Sequence, residues 1–172
     1  SGVLTITAPN TDATRTITLP DSTGSIQTVD GESYSPRGLI CSNDTDAAHD
    51  VAISVGGVKD ATNTVNITLA AILTKRIDAA WAVGDNNGGL DGTESSGGTP
   101  DASTLYYVWL IKRSDTGVVD ALYSESPTGP TMPTNYDYKR LIGAVCTDAS
   151  ANIIAFLQSG DYFRYMGALV QD

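Results

Sequence analysis

Period-two alternation governs what this chain can become. Apolar and polar residues take turns in short runs, with Pro, Gly, Asn and Asp clustered between them. Examples are Val3-Leu4-Thr5-Ile6-Thr7-Ala8, Arg15-Thr16-Ile17-Thr18-Leu19, Ser25-Ile26-Gln27-Thr28-Val29 and Val65-Asn66-Ile67-Thr68-Leu69. In an extended chain, residues i and i+2 point to the same side, so such runs read as half-buried strands. The acidic residues agree with this reading. Asp outnumbers Glu by 17 to 3, and Gly adds 17 turn formers. Asp bonds to nearby backbone at turns and caps, whereas Glu suits helix interiors. The expected fold class is mainly β: an antiparallel, jelly-roll-like β-sandwich preceded by short N-terminal β-strands.

Leu4 and Ile6 share one strand face, as do Ile17 and Leu19. Three strands with so few apolar residues cannot close a core alone. They serve either as an edge hairpin of the main domain or as strands packed against copies of themselves. Residues 30–37, Asp-Gly-Glu-Ser-Tyr-Ser-Pro-Arg, read as a linker. Residues 1–33 are therefore an N-terminal β segment for anchoring or oligomerisation, and residues 34–172 a β-sandwich domain.

In the second unit, strands are expected at residues 38–42, 51–55, 65–69, 105–111, 118–123, 140–146 and 153–158, with another beginning at Tyr162. Leu105, Tyr107, Trp109 and Ile111 face one way, and Tyr106, Val108 and Leu110 the other. A strand apolar on both faces belongs inside a sheet covered on both sides. Ser114-Asp115-Thr116-Gly117 turns it back toward residues 118–123, and residues 153–158 are expected to pair with 140–146. Leu69, Ile72, Leu73, Ile77 and Ala80 fit a 3.6-residue period, so a short helix is expected there. Residues 85–100 read as a polar loop, and the stretch with Pro127, Pro130 and Pro133 as an irregular surface connection.

Composition narrows the function classes. The chain has 172 residues, 41% of them hydrophobic, which suits one ordinary domain. No apolar run approaches the ~18 residues of a membrane span. Ser1 to Thr7 lacks the basic and apolar regions of a signal peptide. A net charge of −10 argues against nucleic acid as a partner. One His and two Cys leave little material for acid–base, nucleophilic or zinc chemistry.

Each candidate site has a plainer explanation beside it. Asp85 to Glu94 offers hard oxygen ligands for calcium, but Gly88 and Gly89 arrive too early for an EF-hand loop. His49-Asp50 carries no nucleophile signature around it. Cys41 and Cys146 lie in expected strands and read as buried reduced thiols, or as a disulfide if those strands are neighbours. Nothing among the 20 acids selects a catalytic carboxylate pair. Tyr136 and Tyr138, beside the Pro-rich connection, are the best candidates for exposed rings that contact a glycan. No catalytic, cofactor-binding or metal-binding residues are assigned, and no cofactor is expected.

Leu4 to Ile26 resembles a short element of tailed-bacteriophage and prophage tail-fibre proteins. Residues 81–89 (Trp-Ala-Val-Gly-Asp-Asn-Asn-Gly-Gly), 106–120 and 140–163 look like a virion-protein module that follows such elements. The carrying motifs are Tyr-Val-Trp-Leu-Ile-Lys, Asp-Thr-Gly-Val-Val-Asp, Lys-Arg-Leu-Ile-Gly and Ser-Gly-Asp-Tyr-Phe. The resemblance implies a virion structural protein without enzymatic activity: a homotrimeric fibre or spike, or a capsid- or tail-attached appendage. It implies self-association, with Leu4, Ile6, Ile17 and Leu19 at the oligomer interface, and contact with other virion proteins. The expected location is the virion, after synthesis in the host cytoplasm, with no membrane insertion. The alternative reading is a carbohydrate-binding adhesin that attaches to a host surface glycan. Similar modules continue past the strand at Tyr162, so the sandwich is expected to be truncated here or completed by a neighbouring chain.

Overall fold

The computed structural model of the chain describes residues 36–92 and 98–166. The expected N-terminal strands, with Leu4, Ile6, Ile17 and Leu19, lie outside the described residues, as does Glu94. All regular elements among the described residues are strands: β1 (Arg37–Gly38), β2 (Cys41–Asn43), β3 (Asp50–Ile53), β4 (Gly56–Lys59), β5 (Asn66–Leu69), β6 (Leu73–Ala80), β7 (Asn87–Leu90), β8 (Leu105–Arg113), β9 (Val119–Ser124), β10 (Tyr136–Cys146), β11 (Phe156–Ser159) and β12 (Tyr162–Tyr165). Seven of them form one sheet in the order β10-β8-β9-β7-β6-β3-β2, beside a three-stranded sheet β1-β4-β5 and the hairpin β11-β12. The fold is mainly β and its pairings are mostly antiparallel. Its dominant feature is one curled seven-stranded sheet, in which β7 runs parallel to both neighbours.

Strand β8 carries the two-faced pattern into the structure. Tyr106, Val108 and Leu110 enter the main core with Val51, Ile53, Val58, Ile67 and Tyr123. Trp109 and Ile111 point the other way, into a second cluster with Leu122 and Tyr136. Each such side chain, fully buried, contributes about 1.5–3 kcal/mol, so both faces of β8 hold the sheet together. Its flanking partners are β10 and β9, the latter through the expected turn.

Three expectations are corrected. The 3.6-period stretch is strand β6, paired with β3 and β7. Leu73, Thr74, Lys75 and Ile77 are all buried there, and burial among sheet neighbours overrides the helix preference of Ala and Leu. The polar loop contains strand β7, hidden by its glycines. A Cβ on Gly88 would lie 2.1 Å from the Ala80 carbonyl oxygen, and one on Gly89 2.6 Å from the Tyr123 ring, so only glycine fits. Finally, residues 153–158 form no ladder with β10 beyond the bridge between Thr147 and Ile153; β11 pairs with β12 instead.

The curl brings the outer strands β10 and β2 toward each other, and the β11-β12 hairpin spans them. The Gln158 side chain accepts the Cys41 N–H at 2.6 Å and donates to the Ile142 carbonyl at 3.3 Å. The Asn43 side chain accepts the Phe156 N–H, and the Tyr165 hydroxyl donates to the Ala144 carbonyl. Farther along β10, the Lys139 carbonyl accepts the Ala61 N–H. Both edges of the sheet are thus covered, which blunts them as templates for stray strand addition.

Candidate functional site

Strands β6 and β7 are parallel neighbours joined by only residues 81–86. Parallel connections ordinarily take a dozen residues or more. So tight a reversal turns backbone carbonyls inward, and a buried carbonyl needs a donor. Lys75 supplies it. Its Nζ donates to the Ala82 carbonyl at 2.7 Å and the Gly84 carbonyl at 3.2 Å, and stands 3.2 Å from Asp120 Oδ1. Both side chains are fully buried. Asp120 in turn accepts the N–H of Gly84 and of Ala121, each at 2.7 Å. The Trp81 ring centroid lies 5.6 Å from the ammonium, and its indole N–H donates to the Ala121 carbonyl. Burial pulls the Lys75 pKa down, and the charge and hydrogen bond of Asp120 pull it back only in part. The result is a dry, matched ammonium–carboxylate centre that clamps the crossover.

Tyr136 borders this centre. Its ring stands edge-on to Trp81, with centroids 5.3 Å apart, and the Arg113 guanidinium lies 5.7 Å from its own centroid. Its buried hydroxyl has no hydrogen-bond partner among the described residues. Burial, then the charge of Asp120, raises its pKa. The expectation of an exposed Tyr136 is corrected: the residue is 2% exposed and lies in β10, after the Pro-rich connection has ended. Tyr138 is half-buried against the main core. Residues two apart normally share a strand face, but a register shift between Tyr136 and Tyr138 sends them into different clusters. The structure does not bring the two rings to one surface.

A groove of about 380 Å³ opens beside β10 and β12 among the described residues. Tyr107, Phe163, Arg140 and Asp161 line it, Gly143 forms part of its wall, and Pro36 stands at its rim. A Cβ on Gly143 would come within 3.1 Å of the Cys41 sulfur and the Phe163 ring, so the groove's shape depends on that glycine. Sequence reasoning placed Tyr107 and Phe163 in strands but did not see that both would line one groove. It passed over Lys75 and Asp120 entirely. A lysine in an apolar, Ala-rich run was the available signal.

The other candidates resolve into local roles. His49 Nδ1 lies 2.9 Å from Asp46 Oδ2, so its partner is Asp46 and not Asp50. Asp50 is raised by burial and by the charge of Asp46. Asp85 accepts the Thr74 N–H, and Asp91 accepts the Thr131 N–H. Among the described residues no group of three or more His, Cys, Asp or Glu is placed to hold a metal ion. Cys41 and Cys146 are free thiols on β2 and β10, and burial pushes the Cys41 pKa up to about 12. No helix among the described residues is long and apolar enough to cross a membrane. A scan against family models and searches of curated proteins and solved structures found no match to this chain.

Proposed function

We propose that this chain is a bacteriophage virion structural protein, a homotrimeric fibre or spike or a capsid- or tail-attached appendage, working as a rigid building piece and not as an enzyme. The observation that carries this reading is how its carboxylates are used. Asp60 accepts the N–H of Thr62, Thr64 and Val65. Asp148 accepts those of Ser150 and Asn152, Asp85 that of Thr74, and Asp120 those of Gly84 and Ala121. Carboxylates tied to backbone hold loops in one shape, which suits a scaffold that must survive outside the cell. The resemblance of residues 4–26 to a tail-fibre element, and of residues 81–89, 106–120 and 140–163 to a virion-protein module, supplies the setting: a virion, with sister subunits and other virion proteins as partners. Native mass spectrometry of the full chain is expected to report a trimer, and immunogold labelling to place it on particles. A stable monomer at micromolar concentration, or unlabelled particles, would refute the reading.

The groove favours a second reading, a carbohydrate-binding adhesin. Flat rings beside one cation and one carboxylate are the usual furniture of a sugar site. On this reading a glycan array shows binding that Asp161→Ala removes. A blank array returns the chain to scaffolding alone.

A further inference from the structure

From the Lys75–Asp120 geometry we infer that the two side chains condense into an intramolecular amide, a covalent strap across the middle of the seven-stranded sheet. The strands β6 and β9 that carry them flank β7 on either side. The inference goes beyond the scaffold role and does not depend on it.

Three observations carry it. The first is approach: Nζ stands 3.2 Å from Oδ1, which sets the amine against the carboxyl group whose Cγ it would attack. The second is exclusion of water. Neither side chain has any exposure, and the Trp81 ring covers the ammonium. In water, an amine and a carboxylic acid resist condensation because each is held in its ionised form. Burial penalises the Lys75 charge and so favours the neutral amine that an amide-forming attack needs. The direction of the Lys75 shift, downward from burial, agrees. The third is that the surroundings suit the product. The new amide N–H can keep the bond to the Ala82 carbonyl, and the remaining carboxyl oxygen can keep the Gly84 N–H.

The step balances without any other reactant. Lys75 passes one proton to Asp120, leaving a neutral amine and a carboxylic acid. The amine lone pair forms a bond to Cγ. The Cγ–OH bond then breaks, and the hydroxyl leaves as water with a second proton from the nitrogen. One C–N bond forms, one C–O bond breaks and one water departs.

The decisive measurement is the intact mass of the purified full chain under denaturing conditions, followed by proteolysis and tandem mass spectrometry. A mass short by one water, with a branched peptide joining Lys75 to Asp120, is the expected result. The full unmodified mass would overturn the inference. Asp91-Gly92 and Asn87-Gly88 are sequences at which a cyclic imide can form, and an Asp91 imide also removes one water. A water-deficient chain with no branched peptide would therefore overturn it as well. Lys75→Arg should restore the full mass, and Asp120→Asn, if it folds, should lose one ammonia instead. The parent chain's mass decides the question even if neither variant folds.

Discussion

Replacing Gln158 with leucine removes the polar bridge between the two edges of the curled sheet while keeping the side chain's bulk. Cys41 is 1% exposed and Ile142 5%, so neither backbone group can turn to water once the amide is gone. An orphaned buried donor costs about 1–3 kcal/mol, and a carbonyl that loses one of two acceptor sites costs less. The bond to the Gly160 carbonyl counts for little, because that turn is exposed. Leucine returns less than about 1 kcal/mol of apolar burial in this half-buried position. The net loss is about 1–2 kcal/mol. With a urea slope of about 2 kcal/mol/M, the unfolding midpoint falls by roughly 0.5–1 M. Amide hydrogen exchange followed by NMR gives a local readout, and the Cys41 amide should lose most of its protection. Gln158→Glu makes a companion test. It keeps the acceptor but sets a carboxylate against the Ile142 carbonyl. Relative to the parent at each pH, it should be weakest near neutrality and recover toward about pH 4, where a protonated carboxyl can donate again. An unchanged midpoint with an equally protected Cys41 amide would refute the idea that Gln158 closes the sheet.

Further outcomes follow from the same contacts. Gly89→Ala drives a methyl into the Tyr123 ring, which cannot retreat because it is fully buried and its hydroxyl donates to the Lys75 carbonyl. A loss of about 3 kcal/mol is expected in thermal melts, whereas Gly92→Ala, with no atom of the described residues within 4 Å of the added methyl, should melt like the parent. At Asp60, burial pushes the carboxyl up, but the Thr62 hydroxyl and the N–H groups of Val65, Thr64 and Thr62 outweigh it and set the pKa to about 2. Because the folded value lies below the unfolded one, this contribution is complete above about pH 4 and disappears as pH falls through 2. Asp60→Ala should therefore cost about 1–3 kcal/mol at pH 7 and little near pH 2, by urea titration at each pH. Cys41, its thiol pushed up to about 12, should react with a thiol reagent at pH 8 only after unfolding. Rapid labelling of both cysteines in the native chain would contradict its burial.

Much of the β architecture was legible from local pattern. Alternation at Asn66–Leu69, the two-faced run at Leu105–Arg113 and its partner at Val119–Ser124 are strands where the residues alone required them. Which face a residue takes depends on its neighbours one and two positions away, and that information is written along the chain. The misread elements share a different physics. Strand β6 carries a helical period yet is held extended by β3 and β7, and β7 looks like loop because its glycines answer to Ala80 and Tyr123.

Tertiary structure alone decided the rest. Tyr136 and Tyr138 have the spacing of one face, but a one-residue register shift set by pairing with β8 parts them. Lys75 and Asp120 lie far apart in sequence, and each taken alone reads as an ordinary surface charge. Only the tight crossover at 81–86 removes both from water and makes each the other's partner. Periodicity is a property of the chain, whereas close approach, curl and charge pairing are properties of distant segments meeting. Local pattern therefore set the alternating and two-faced strands, whereas β6 and β7 became strands only through their neighbours. The fold alone determined which polar groups they bury together.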